Sequence, residues 1–476
     1  MLNRSARSSS DAPSFELPSG GAHSSEDSLP RPSRRRAAAA TATRRAWLID
    51  LSVISALSVL VRLPWVLIVH PTPVSDTRFY YLSAQSIADG HGYQILGHAT
   101  TFFPVGWPAF LAGLFTITGP SMPAIEILNL VLWAVTAGLV YALGRRMGGR
   151  AVGLVAGILV AIAPTMAIFV MRAYSEALFI PLLLIVVLLL TARRETPSLR
   201  SAALAGALLG AAILVRSTAE ALILILPLWL LWRRPRQEAW RAALVLGVSS
   251  CLVLAPWVVR NELVMHTSSL STNGGVTLWL GANPRATGGW INYGKHNWAI
   301  SSAAAEVKQN NTLTRDAILY DVHHPGRYFS LLGPKFTRLM GWSTSPLTIV
   351  ELEQPGPDPS VPHPARTSTR KLDSAERTLL GGALNKTWAF ELWHYSYWVL
   401  GAAALLLATW RRRPGASIAA ILVGFWILFH VFLIHGEPRY MLSVTPLVAP
   451  ALAWLLVEAA RRAAAAFKPV RTAQAR

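Results

Sequence analysis

Arg78, Arg172, Arg216, Arg260 and Arg439 each stand alone near the end of an apolar run, and Asp76, Glu176, Glu220 and Glu437 stand beside them. Ionisable groups at the edge of lipid are costly and often functional. A guanidinium grips phosphate through two parallel N–H···O contacts, so several arginines on one face would form a phosphate cradle. A carboxylate such as Asp76, held where a membrane helix leaves the bilayer, would face a lipid headgroup. The same residues also have plainer readings. Pro73 precedes a helix that Ser75 or Asp76 can cap and Gly90 can end. Asp76 is then an N-terminal charge worth roughly 0.3–1 kcal/mol. Glu176 is another helix-start carboxylate, Glu220 can pair with Arg216 across one helical turn, and Glu437 can balance Arg439. A lone arginine at a helix end can be an interfacial anchor that snorkels.

Other chemistries are poorly supplied. His323 and His324 are adjacent and followed by Pro325, while His91 and His98 flank a loop. Neither pair has a ligand partner at metal-binding spacing, so no metal site is expected. No Gly-rich phosphate loop precedes a Lys-Ser/Thr pair, which argues against an ATP-driven pump. Cys251 is the single cysteine, so no intrachain disulfide can form.

The elements that must position these groups are membrane helices. The chain is 53% hydrophobic and only 14% charged, where a soluble domain carries about a quarter charged residues. Its net charge of +20 would suggest nucleic acid in a soluble protein. Here the basic residues fall between apolar runs, as membrane orientation requires, and no nucleic-acid partner is expected. Residues 1–45 are rich in Ser, Pro, Arg and Ala without an apolar pattern, and are expected to be a disordered basic cytoplasmic tail.

Eleven apolar segments follow, at 47–69, 102–118, 123–143, 151–170, 174–192, 201–215, 219–232, 241–259, 391–410, 416–434 and 441–460. A span needs about 20 residues. The segment at 102–118 is short and opens Phe102-Phe-Pro104-Val-Gly106-Trp107-Pro108. If it lies at the outer interface, ten helices cross and both termini are cytoplasmic. The Arg145/Arg146/Arg150, Arg193/Arg194/Arg200, Arg233/Arg234/Arg236/Arg241 and Arg411–Arg413 clusters then all face the cytoplasm, obeying the positive-inside bias. Were it to span, all of these clusters would move outside. The membrane domain is expected over 46–460, with two outer regions at 70–122 and 260–390 and a cytoplasmic tail at 461–476. The second outer region holds Gly-rich turns at Asn273-Gly274-Gly275 and Thr287-Gly288-Gly289, helical stretches near 300–341 and a Pro-rich link from Pro355 to Pro364.

In order and spacing, the chain resembles the family 39-like glycosyltransferases of the C-type superfamily, over most of residues 47 to 460. These membrane enzymes include protein O-mannosyltransferases and aminoarabinose transferases. The resemblance is carried by Ser75-Asp76, Tyr81 and Gly90-His-Gly92-Tyr93, by Pro104-Val-Gly-Trp-Pro108 and by Tyr174-Ser-Glu176. Pro256-Trp-Val-Val-Arg260-Asn261, Ser271 to Gly288 and Arg439-Tyr440 carry the rest. Thr77 departs from the Asp-Glu pair of some protein O-mannosyltransferases, which weakens the case for a protein acceptor.

The resemblance implies an all-α polytopic membrane fold of about ten transmembrane helices, with juxtamembrane helices and a long extracytoplasmic loop. It implies a polyprenyl-phosphate-linked sugar donor in the bilayer of the cell membrane, and a glycan, lipid or protein acceptor entering from outside. Asp76 would deprotonate the acceptor hydroxyl, with inversion at the sugar. Glu176 would be a second acid or position the acceptor. Arg216, Arg260, Arg439 and Tyr440 would bind the donor phosphate, where negative charge develops. Arg78, Tyr80, Tyr174 and Asn261 would lie near acceptor or sugar. No cofactor is implied. The rival reading is a non-catalytic transporter or flippase, a class that tends to show paired halves with helices broken at midplane; no repeat is visible here. A ligase using a polyprenyl-diphosphate oligosaccharide is a third.

Overall fold

A computed structural model describes residues 32–69, 73, 75–192, 196–233, 236–291, 301–341, 374, 378 and 387–466. The chain is almost entirely helical. Helix α1 (Pro32–Ile68) begins inside the segment expected to be a disordered tail. The Arg34-Arg-Arg-Ala-Ala-Ala-Ala run consists of strong helix formers, and their propensity outweighs the lack of an apolar pattern. The Pro-rich link at 355–364 lies outside the described residues.

Two short helices follow α1. They are α2 (Ser75–Ala88) and α3 (Gly106–Thr118), joined through a small hairpin of β1 (Gln94–Ile95) and β2 (His98–Ala99). Leu96 and Gly97 at its tip both have positive φ, at 51° and 82°. That is the geometry of a tight two-residue hairpin turn. At 13 residues α3 is well short of the roughly 20 a span needs, in line with the non-spanning expectation.

The bundle consists of α4 (Met122–Gly148), α5 (Arg150–Ala161), α6 (Pro164–Ile168), α7 (Glu176–Leu190), α8 (Leu199–Val215), α9 (Leu222–Arg233) and α10 (Arg236–Met265). The long outer region contributes α11 (Gly274–Gly281), α12 (Ala303–His323) and α13 (Pro325–Leu339). Then come α14 (Thr387–Trp410), α15 (Ala416–Phe432), the short α16 (Pro438–Met441) and α17 (Thr445–Ala466). The first Gly-rich stretch therefore opens a helix at Gly274 and is not a simple turn, while Gly288, at φ +86°, does turn the chain. Helix α17 continues six residues into the expected tail.

Among the described residues, three helices are long and apolar enough to cross a membrane by themselves: Arg44–Ile68, Met122–Gly148 and Gln237–Met265. Helix α5 and Pro164–Met171, bent by 53° at the break between them, are together long and apolar enough for a fourth. The break follows from Pro164, which has no N–H to continue the ladder. The carbonyls freed there are not left bare. Arg62, fully buried in α1, donates to Ala161 O at 2.8 Å and Val160 O at 3.4 Å, and lies 5.4 Å from the Trp133 ring. Helices α7, α8 and α15 are shorter apolar elements of 15, 17 and 17 residues. The molecule is a multi-pass membrane protein.

Close packing uses small residues, as is usual where lipid offers no hydrophobic drive between helices. Gly206 and Gly210 let α8 lie directly on α10; a Cβ at Gly206 would stand 2.3 Å from Leu246 O. Consecutive long helices run antiparallel, so helix ends collect at two poles. At one pole the Arg150 guanidinium holds buried Asp50 by two contacts of 2.7 and 2.8 Å, and Tyr141 donates to the same carboxylate at 2.8 Å. At the other pole lie the ends of α1, α6, α8 and α15 and the starts of α2, α7 and α17.

Candidate active site

Asp76 occupies the first turn of α2, directly after Ser75, whose φ is +52°. A non-glycine residue in this region is strained, and such strain persists where the surroundings hold it. The Asp76 carboxylate is engaged in an ion pair. Its Oδ2 accepts from Arg439 Nη2 at 2.8 Å. Helix α16 begins at Pro438, so Arg439 stands in its first turn, just past the α15–α16 loop.

Glu176 begins α7 and is 2% exposed. Its Oε1 lies 2.8 Å from Arg216 Nη1 and 3.7 Å from Arg439 Nε. Arg216 ends α8 in an extended conformation and also donates to Ser175 Oγ at 3.3 Å. A 3-10 turn at Ser217–Ala219 follows, so Arg216 and Glu220 do not share a continuous helical face. That is why the expected Arg216–Glu220 pair gives way to Arg216–Glu176. Tyr174 lies under the Arg439 guanidinium, 4.5 Å from its ring centroid, and Tyr440 is 5.7 Å away. Tyr80, one turn after Asp76 in α2, is buried in the same neighbourhood. Burial, reinforced by Asp76 and Glu176, raises its phenol above the ordinary value and keeps it neutral. Arg78 is buried on the same helix.

The structure thus brings together Asp76, Glu176, Arg216, Arg439, Tyr440, Tyr80 and Tyr174 from four stretches of chain. It does not bring Arg260 and Asn261 into these ion pairs. Arg260 donates to Thr100 O at 2.9 Å, Tyr93 O at 3.1 Å and Asn261 Oδ1 at 3.0 Å, with Trp257 4.9 Å from its charge. Asn261 donates to Thr101 Oγ1 and Ser269 O. These two residues fasten the hairpin loop to α10.

Several positioning residues were not singled out from the sequence. Asn129, inside α4, donates to both Val170 O and Arg172 O at 2.8 Å, and Trp107 Nε1 donates to Ala173 O at 2.9 Å. Together they pin the strand of chain that leads to Glu176. A Cβ on Gly106 would stand 2.6–2.8 Å from the Leu214–Val215 backbone, so only glycine lets α3 touch the end of α8 beside Arg216. An asparagine within an apolar run was the available signal for the first. Glu306 of α12 accepts from Thr100 Oγ1 at 2.6 Å, Thr101 N at 2.9 Å and Thr272 Oγ1 at 2.6 Å. It ties the two outer regions together. The long outer region also grips the turn that carries Arg439. Gly436 N donates to Gly288 O at 2.9 Å, and a Cβ at Gly436 would stand 2.0 Å from Lys335 O.

Chemically, two carboxylates and two guanidinium groups converge at one pole. Arg216 Nε, Arg439 Nε and His430 Nε2 are buried here or in the neighbouring elements without a hydrogen-bond partner. Buried polar atoms left unmatched call for an explanation, and a polar ligand supplies one. Among the described residues, no cluster of three His, Cys, Asp or Glu side chains is arranged to hold a metal ion.

This architecture is the C-type fold of membrane glycosyltransferases. Residues 103–259 match the family model described as dolichyl-phosphate-mannose-protein mannosyltransferase, in agreement with the resemblance drawn from the sequence. The oligosaccharyltransferase of Archaeoglobus fulgidus, in its complex with Zn and sulfate, is 14% identical with a TM-score of 0.50, covering 88% of this chain and 50% of that one. Its apo form is also 14% identical with a TM-score of 0.50, covering 88% and 51%. ArnT from Cupriavidus metallidurans bound to undecaprenyl phosphate is 14% identical with a TM-score of 0.40, covering 88% and 60%. The chain thus spans about half the length of the oligosaccharyltransferase it matches. No curated protein matches it in sequence.

Proposed function

We propose that this protein is a glycosyltransferase that moves a sugar from a polyprenyl-phosphate carrier to an acceptor hydroxyl on the extracytoplasmic side of the cell membrane, with inversion. The observation that carries the reading is the Asp76–Arg439 pair, with Glu176 and Arg216 directly behind it. A base and fixed positive charge stand side by side, as displacement of a phosphate by a hydroxyl requires. Asp76 takes the acceptor proton. Arg439 and Arg216 hold the leaving phosphate, and Glu176 keeps both guanidinium groups oriented. Arg260 makes its contacts with Thr100 O, Tyr93 O and Asn261 Oδ1, apart from this cluster of ion pairs.

The side of the membrane follows from charge. Arg145, Arg146, Arg150 and Arg411–Arg413 lie at the pole opposite Arg439. The positive-inside bias puts that pole, and both termini, in the cytoplasm. The test is mass spectrometry of envelope glycans and lipid-phosphosugars in cells lacking the protein. Loss of one glycan with build-up of one lipid-linked sugar is expected and identifies both substrates. Unchanged profiles of both would refute a transferase.

A further inference from the structure

The basic pole, opposite the cluster of ion pairs around Arg439, spends its arginines unequally. Arg150 pairs with Asp50, Arg145 donates to the Tyr141 hydroxyl at 2.9 Å, and Arg146 donates to Leu188 O. Arg233, which ends α9, and Arg241, early in α10, make no hydrogen bond or ion pair among the described residues. Each lies instead over the tryptophan that precedes it. The Arg233 charge is 5.2 Å from the Trp232 ring centroid, and that of Arg241 is 5.5 Å from the Trp240 centroid. Both indoles are turned outward, at 67% and 51% exposed.

The two pairs are neighbours. Only residues 234 and 235 separate α9 from α10, and the helices pack side by side. At a rise of about 1.5 Å per residue, Trp232 and Trp240 lie within about one turn of the same depth. Each also closes an exposed apolar stripe with a spacing of four: Leu224, Leu228 and Trp232 on α9, and Trp240, Leu244, Val248 and Leu252 on α10. In a membrane protein such stripes face lipid tails, and a Trp-Arg pair at the end of a stripe stands at the height of the headgroups. In sequence the turn also carries Arg234 and Arg236, which makes four cations against the single carboxylate of Glu238.

We propose that the α9–α10 turn is a binding site for an anionic phospholipid of the adjoining leaflet. Arg233 and Arg241 hold its phosphate through paired N–H···O contacts, and its acyl chains lie along the two stripes. Charge complementarity names the occupant. Guanidinium groups without protein partners take a phosphodiester, whereas a zwitterionic lipid brings a cation of its own to the same arginines. The site is independent of the transfer reaction.

The test uses the full-length protein in detergent, titrated with phosphatidylglycerol or phosphatidylcholine and read by native mass spectrometry of retained lipid and by melting temperature. Phosphatidylglycerol should be retained and raise the melting temperature; phosphatidylcholine at the same concentration should do neither. Equal retention of the two lipids overturns the proposal. So does equal stabilisation by glycerol phosphate, which has the anion without the chains. Arg233→Gln combined with Arg241→Gln should weaken phosphatidylglycerol binding about 30-fold, and unchanged binding overturns the site. Both side chains are exposed, so the melting temperature in phosphatidylcholine should stay at the wild-type value. Arg233→Lys with Arg241→Lys should recover only part of the affinity, and full recovery would overturn the paired grip. Arg411→Gln with Arg412→Gln removes as much charge beside another exposed tryptophan of this pole, Trp410, and should leave binding unchanged. Equal loss in the two glutamine variants would show a diffuse basic surface and overturn the site.

Discussion

Asp76 and Arg439 are 363 residues apart in the chain and 2.8 Å apart in space. The proposed base is thus paired with the guanidinium proposed to hold the donor phosphate.

Asp76→Asn keeps the size of the side chain but cannot take a proton. Transfer should fall by at least about 10²-fold, the lower end of what a general base contributes. Donor KM should not rise, because the amide competes more weakly for Arg439. Steady-state kinetics at saturating acceptor check both, and full turnover would leave Asp76 as an ion-pair partner only.

Arg439→Ala should raise donor KM and also lower the melting temperature, since it removes the cation facing Asp76, Glu176 and Glu437. Stripping one partner from a buried pair typically costs about 3–5 kcal/mol. Arg439→Lys should restore most of the stability but only part of the donor affinity, because an ammonium cannot make the planar double contact. Equal recovery of both would argue against phosphate binding.

The Glu176–Arg216 contact lies almost out of solvent, with side-chain exposures of 2% and 10%. A double-mutant cycle on Glu176→Gln and Arg216→Gln should give a coupling of roughly 1–3 kcal/mol in thermal or denaturant unfolding. Simple additivity would mean that the two side chains act separately.

Gly106→Ala would drive a Cβ to 2.6–2.8 Å from the Leu214–Val215 backbone. Overpacking of this kind costs about 1–3 kcal/mol, and here backbone has to yield. Asn129→Leu should lose both carbonyl contacts to Val170 and Arg172 and lower kcat by loosening the approach to Glu176. A drop in melting temperature for the first, and a kcat loss exceeding the KM change for the second, are the readouts.

Single cysteines in a Cys251→Ser background test orientation. Leu96→Cys, at the exposed hairpin tip, should react with an impermeant thiol reagent in intact cells, and Arg412→Cys should not. The reverse labelling would turn the protein over in the membrane.

The amino-acid sequence by itself determined the helical membrane class and the short α3. Apolar run length and the siting of arginines are local properties that a chain displays unfolded. It also exposed Asp76, Glu176, Arg216 and Arg439 as candidates, because a charge at the edge of an apolar run is conspicuous wherever it later goes. What only the tertiary structure decided is which of them meet. Arg216 looked equally able to pair with Glu220 one turn on, and Arg260 looked as available as Arg439. The extended end of α8 and the carbonyls of Tyr93 and Thr100 settled those choices. The break after α5, with Arg62 from α1 on its free carbonyls, was equally invisible. Ion pairs and hydrogen bonds reach only a few ångströms, so they form between whichever helix ends packing brings to the same pole, and separation along the chain carries no information about that.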